Sequence, residues 1–223
     1  VGNVLYRNEN KVFSQWRDHD VITDGNGIII DQSRETGYTG RTLVANNVAF
    51  DNGGRGILVL ESDRVDVMHN TTYHNGRTPG LEGGAVELAA GHADDVIFAN
   101  NLAWSLPDAP AFAASEATGL VTEGNVFVTD RGDQAAGEAD LVVASDPGVR
   151  LPSIDPEVAD FRPTAESLLL GRSVPVARAL PEDATGFLGI GLSAPPAPFV
   201  PEQFHLRPGH ALLVAGFGSA AAH

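Results

Sequence analysis

The chain has 223 residues, enough for one large domain with a sizeable core. Its 14 Lys+Arg stand against 29 Asp+Glu, a formal net charge of −15, which disfavours a nucleic-acid backbone or an anionic membrane as partner and favours a cation. With no cysteine, disulfides, iron–sulfur clusters and thiolate zinc are excluded, while oxygen ligation of a hard cation stays open.

The first residues, VGNVLYRNEN, carry neither a basic n-region nor an apolar h-region, and no apolar run approaches the roughly 18 residues of a membrane span. The composition is compatible with a secreted or periplasmic protein of bacterial type. From Gly2 onward a repeat begins. GNVLYRN from Gly2, NNVAFDN from Asn46, HNTTYHN from His69 and NNLAWSL from Asn100 align, with GNVFVTD from Gly124 as a weaker fifth copy. The shared asparagines are Asn3, Asn47, Asn70, Asn101 and Asn125, and Tyr6, Phe50, Tyr73 and Trp104 follow the first four in one column. GNGIII from Gly25, GRGILV from Gly54 and GGAVEL from Gly83 interleave with them, and APAFAA from Ala109 is a fainter copy.

Each coil therefore reads strand, turn, strand, turn, with strands of about 4–6 residues and Gly, Asn or Asp at the breaks. That grammar predicts an all-β right-handed parallel β-helix. The asparagines are unevenly spaced, so some coils are bare and others carry inserted loops. An inward amide at the same tight turn of every coil can hydrogen-bond backbone and its neighbours above and below, which makes this column structural. The coils are expected over residues 1–136. Over 137–223 the pattern gives way to coil remnants and a Pro-rich irregular tail packed along the solenoid. An open first coil exposes unpaired strand groups, so the chain is expected to be the C-terminal part of a longer solenoid, its first coil covered by preceding coils or by another chain.

The stretches TDGNGIIID, YTGRTLVANNVAFDNGGRGILVLESDRVDVMHNTTYHNG and DFRPTAESLLLGRSV resemble the parallel β-helix proteins of the pectate-lyase-like superfamily, over roughly Val1 to Val174. The likeness is specific for fold and poor for reaction, since lyases, hydrolases, epimerases and phage tailspikes share it. Within it, the chain is similar to the calcium-dependent polysaccharide lyases of family nine, in which a turn of the DGF type begins a strand whose end carries a lysine base beside calcium-binding aspartates. Gly27 and Ile28 match that turn and strand start. The position of the lysine holds Asp31, and Lys11, the only lysine, lies elsewhere. The resemblance implies a secreted protein acting on acidic polysaccharide.

The residues themselves support several chemistries. Strand alternation predicts Ile28, Ile30, Ile57, Val59, Val86 and Leu88 facing in, with Glu87 facing out beside Ile29 and Leu58. Asn26, Arg55, Asp31 and Glu87 would then line one outer groove, with coils about 4.8 Å apart. For β-elimination at a uronate, Arg55 could neutralise the sugar carboxylate, and Asp31, His19 or Tyr38 could take the proton. Asn26, Arg41 and Tyr38 are candidate substrate contacts. Asp18, Asp20, Asp24 and Asp31, within WRDHDVITDGNGIIID, offer oxygen ligands for calcium. Alternatively Asp31 and Glu87, two coils or about 9–10 Å apart, could serve an inverting glycoside hydrolase. A third reading is a non-catalytic glycan-binding or structural piece. His69, His74 and His92 read as turn residues.

Overall fold

The computed structural model of the chain describes residues 1–14, 21–132 and 134–174, and among these there is no helix. The chain opens with β1 (Val4–Tyr6) and then repeats a circuit of three short strands. The first circuit is β2 (Ile28–Asp31), β3 (Thr42–Ala45) and β4 (Val48–Phe50), the second β5 (Ile57–Leu60), β6 (Asp63–Met68) and β7 (Thr71–Tyr73). The third is β8 (Leu88–Gly91), β9 (Asp94–Ala99) and β10 (Leu102–Trp104), the fourth β11 (Phe112–Ser115), β12 (Val121–Glu123) and β13 (Val126–Val128). β14 (Leu141–Val143) adds one further strand, and β15 (Val149–Leu151) with β16 (Asp160–Pro163) forms an antiparallel pair.

Equivalent strands pair in parallel and build three sheets, ordered β1-β4-β7-β10-β13-β14, β2-β5-β8-β11 and β3-β6-β9-β12. Register keeps like residues stacked: Ile28 on Ile57 on Leu88 on Phe112, and Tyr6 on Phe50 on Tyr73 on Trp104. The architecture is thus all-β, with parallel strands stacked circuit on circuit. One core draws on all three sheets, with Val44, Val65, Val67 and Phe98 from one, Ile57, Val59 and Leu88 from the second, and Ala103 and Phe127 from the third. The β-branched residues suit these half-buried pleated surfaces.

The turns explain the asparagines. Gly2, Asn46, His69, Asn100 and Gly124, each just before a ladder asparagine, all have positive φ, between 53° and 71°. Gly, Asn and His are residue types that tolerate this left-handed region, which is why that column reads G, N, H, N, G. The sharp turn aims the next side chain inward. Asn3, Asn47 and Asn70 each donate through Nδ2 to the Oδ1 of the following ladder asparagine at 2.9–3.0 Å, and Asn101 does so to Asn125 at 2.9 Å. The steps span 44, 23, 31 and 24 residues. The second amide hydrogens of Asn70, Asn101 and Asn125 go to the carbonyls of Val44, Val67 and Phe98.

A second ladder runs beside the first. Arg7, Asp51 and His74 also have positive φ, and each is followed by an asparagine of this column: Asn8, Asn52 and Asn75. The backbone N–H of Asn8 donates to Asn52 Oδ1 (3.0 Å), and Asn52 donates to Asn75 Oδ1 through its own N–H and Nδ2 (3.1 and 2.7 Å).

The column Tyr6, Phe50, Tyr73, Trp104 faces away from the shared core and belongs to a second cluster under the β15–β16 pair. Phe161 packs on Phe50 and Tyr73 with ring centroids 5.8 and 5.3 Å away, joined by Val149, Ala159 and Leu169.

Candidate functional site

The outward face of β2-β5-β8-β11 carries an apolar column, Ile29, Leu58, Ala89 and Ala113, in strand register. Leu58 and Ala89 are buried although they point away from the shared core, because Val86, Leu60 and Ala113 pack around them. Two long turns sit at the start of these strands. One joins β1 to β2, the other β7 to β8, and they meet where Ile22 pairs with Leu81, with Ile22 N donating to Gly80 O and Glu82 N to Ile22 O. The insertions are therefore tied together at the edge of the face.

Arg55 stands at this edge. Its backbone N–H donates to Asn26 Oδ1 (2.8 Å) and its Nη2 to the carbonyl of Glu82 (2.8 Å). The guanidinium is partly buried, and burial lowers its pKa, with Glu82 and Asp24 acting the other way. Among the described residues it makes no ion pair within 4.0 Å, whereas Arg7, Arg34, Arg41, Arg77 and Arg162 each do. Asp31 lies on the outward side of β2 with Ile29, as alternation predicts. Partial burial raises its pKa, and Glu61, Asp24 and Glu35 raise it further. The field at Asp31 is therefore negative, which makes its carboxylate a stronger base than an ordinary aspartate. Asp24, at φ 68°, accepts from Thr23 Oγ1.

Two expected site residues lie elsewhere. Glu87, expected on the outer groove, is fully buried and points inward. Strand alternation does not reach it, because β8 begins at Leu88 and Glu87 is the last residue of the preceding turn. It occupies the column of Gly56, whose own Cβ would meet the Glu87 carbonyl at 2.7 Å and Thr72 at 2.8 Å. Asn75 donates to both its oxygens, so it completes the second ladder. Val86, expected to face in, packs instead on Leu58 and Ala89 of the outward column. Arg41, expected to contact substrate, bridges Asp66 Oδ1 (2.8 Å) and Asp95 Oδ2 (2.5 Å) across β3, β6 and β9, and is committed to the scaffold.

Asn26 is near Arg55 as expected, but its side-chain oxygen is used by the Arg55 backbone. Tyr38 is exposed in the turn between β2 and β3, where its carbonyl accepts from Arg64 Nη2. Asp18, His19 and Asp20 lie outside the described residues. His69, His74 and His92 all occupy positive-φ turn positions, and burial pushes the His69 imidazole down to about 4.

Among the described residues no three His, Asp or Glu side chains gather to hold a metal ion. Asp24 and Asp31 by themselves fall short of the six to eight or so oxygens that calcium takes, so no chemical step is built on that ion. Comparison of the chain with family models, with curated proteins and with solved structures finds no match.

Proposed function

We propose that the three sheets close as a right-handed parallel β-helix and that the outward face of β2-β5-β8-β11 binds an acidic polysaccharide in a secreted or periplasmic setting. The observation that carries this reading is Arg55, a partly buried guanidinium without a carboxylate partner among the described residues, at the edge of an apolar strip that crosses the sheet. A desolvated cation beside apolar surface favours a ligand that brings both a carboxylate and a carbon face. The protein's net charge of −15 then makes this local positive site selective for position as well as for charge.

The reaction that fits is β-elimination at a uronate. Arg55 pairs with the sugar carboxylate and so acidifies the neighbouring C–H, Asp31 takes that proton, and the electron pair forms a carbon–carbon double bond as the glycosidic C–O bond breaks. Calcium, if used, would draw on Asp18 and Asp20 together with Asp24 and Asp31. Hydrolysis by an Asp31/Glu87 pair lacks its second carboxyl on this face, because Glu87 is buried. Non-catalytic glycan binding at the same face is the alternative, and it needs only Arg55 and the apolar strip.

The test is incubation with alginate, pectate and glycosaminoglycans, with calcium and with chelator. Elimination gives the ultraviolet absorbance of the new double bond, and Asp31→Asn abolishes it. Saturable binding without that product leaves the binding reading, and reducing ends without the chromophore point to hydrolysis. No signal of any kind overturns the polysaccharide assignment.

A further inference from the structure

The two ends of the strand stack are chemically different. At the end formed by β11, β12 and β14, side chains close what the strands leave open. Gln134 Oε1 accepts from the backbone N–H of Ala111 (2.7 Å) and Phe112 (3.2 Å), and its Nε2 donates to Phe112 O (3.0 Å). One side-chain amide thus stands where the peptide group of another strand would stand. The first ladder stops at Asp140, whose Oδ1 accepts from Asn125 N and Nδ2 at 2.8 and 2.9 Å while Oδ2 accepts from Gly137 N. The second stops at Glu87. A carboxyl group ends such a ladder because it has no amide hydrogens to pass on to another circuit.

At the opposite end β1, β2 and β3 are the outermost strands of their sheets. No side chain among the described residues does there what Gln134 does at β11. Asn3 and Asn8 are exposed, and no donor among the described residues reaches either side-chain oxygen. Both are used only downward, toward Asn47 and Asn52. Ile28 and Ile30 are partly exposed, although Ile57 and Val59, directly beneath them in register, are fully buried. This end therefore presents open strand edges, a slice of apolar core and two unfilled acceptors together.

We propose that this end is a docking surface for one further parallel circuit of three strands, joined in sequence ahead of Val1 and carrying asparagines above Asn3 and Asn8. The polarity of the ladders selects that occupant: each oxygen receives an N–H and an amide hydrogen from the asparagine above it. A second copy stacked head to tail would bring Asp140 and Glu87, both acceptors, against the acceptor oxygens of Asn3 and Asn8. The position of Val1 selects the connection. Counting back from the ladder, Val1 stands where Met68 stands before Asn70, at the end of a strand in the β3-β6-β9-β12 sheet, so a preceding circuit leads in without a linker. The inference uses ladder geometry alone and is independent of the polysaccharide reading.

The test places a copy of the bare circuit Asn47–Val67 directly ahead of Val1 in the full chain. Its first and second asparagines then sit above Asn3 and Asn8. Amide hydrogen exchange in Val4–Tyr6, Ile28–Asp31 and Thr42–Ala45 should slow on the order of tenfold relative to the unextended chain, and the same extension with leucine at both asparagines should lose most of that protection. Equal protection by the asparagine and leucine extensions overturns the ladder-directed docking. In the unextended chain the same amides should exchange faster than those of β7 and β10 at every protein concentration. Exchange there as slow as in β7 and β10 shows that the end is already closed, and protection that grows with concentration assigns the surface to a second copy; either result overturns the proposal.

Discussion

Asn75 donates its backbone N–H to Glu87 Oε1 at 2.8 Å and its side-chain amide to Oε2 at 2.6 Å, in the fully buried interior of the strand stack. Glu87 thereby takes the place that an asparagine in the next circuit would fill. The residue at the repeat position there is Leu106, five after Asn101, which can neither accept nor donate. Without the Glu87 carboxyl, the N–H and amide of Asn75 would end in an apolar core, at a cost of about 1–3 kcal/mol for each unsatisfied group.

This arrangement makes stability depend on pH. Burial pushes the Glu87 carboxyl up to about 8 from an ordinary value of 4.5, with the Asn75 donors pulling in the opposite direction. Between those two values the folded protein holds a proton that the unfolded chain has released, so the stabilisation is complete below the unfolded value and is lost as pH rises through the folded one. Glu87→Gln removes the titration. Measured by urea unfolding, the stability of the wild type relative to Glu87→Gln should fall by a few kcal/mol between about pH 5 and about pH 9. A difference that stays constant across the range excludes this role for the carboxyl.

The first ladder predicts a gradient of mutational cost along the stack. Asn70 accepts from Asn47 N and Nδ2 and donates to Val44 O and Asn101 Oδ1, all within the interior. Asn70→Ala should cost about 2–4 kcal/mol, because it leaves the Asn47 N–H without a partner and opens a small cavity. Asn3→Ala, at the exposed end, should cost less than about 1 kcal/mol. Equal losses for the two in denaturant titrations would show that the ladder does not act through burial.

How much of this is legible in the amino-acid sequence depends on whether the controlling residue leaves a signal there. The first ladder does: Asn3, Asn47, Asn70, Asn101 and Asn125 recur because one turn geometry and one hydrogen-bonding role select one residue type. The second ladder is equally encoded, at five residues after Asn3, Asn47 and Asn70, but it spans three circuits before its role passes to a glutamate from a different turn. Glu87 escapes strand-period reasoning for a related reason. In earlier circuits its column holds Gly27 and Gly56, which have no side chain to reveal that the column points inward, and period-two alternation fails one residue before the strand begins. On the outer face, Asp31 and Ile29 are legible from strand period alone, whereas the engagement of Arg41 is not, because its partners lie 25 and 54 residues away.

Arg41 supplies a prediction that separates scaffold from site. It joins Asp66, whose side chain is 1% exposed, to Asp95, and so ties three consecutive strands of one sheet. Arg41→Met should lower stability by about 2–4 kcal/mol by taking the guanidinium from a buried carboxylate, and Arg41→Lys should recover only part of this, since one ammonium cannot reproduce two divergent N–H contacts. Binding of uronate polymers, measured calorimetrically at a temperature where both variants remain folded, should be unchanged. A loss of affinity without a loss of stability would return Arg41 to the binding face.

Arg55 should behave in the opposite way. Its backbone N–H to Asn26 is retained whatever the side chain, and Arg55→Met removes only the single Nη2 hydrogen bond to Glu82 O, worth about 1 kcal/mol. Affinity for a uronate polymer should fall tenfold or more, equivalent to about 1.4 kcal/mol, because a desolvated guanidinium–carboxylate pair is removed. Affinity for a neutral polymer of the same backbone should hardly move. Wild-type binding should also weaken as salt is raised, less steeply than for a fully exposed charge because the guanidinium is partly buried, and the Met variant should lose that salt dependence. Asp31→Asn, which leaves Arg55 in place and removes a nearby negative charge, should bind the polymer at least as tightly as the wild type while losing elimination. Loss of binding in Asp31→Asn with full binding in Arg55→Met would reverse the two roles and place the anion contact elsewhere on the face.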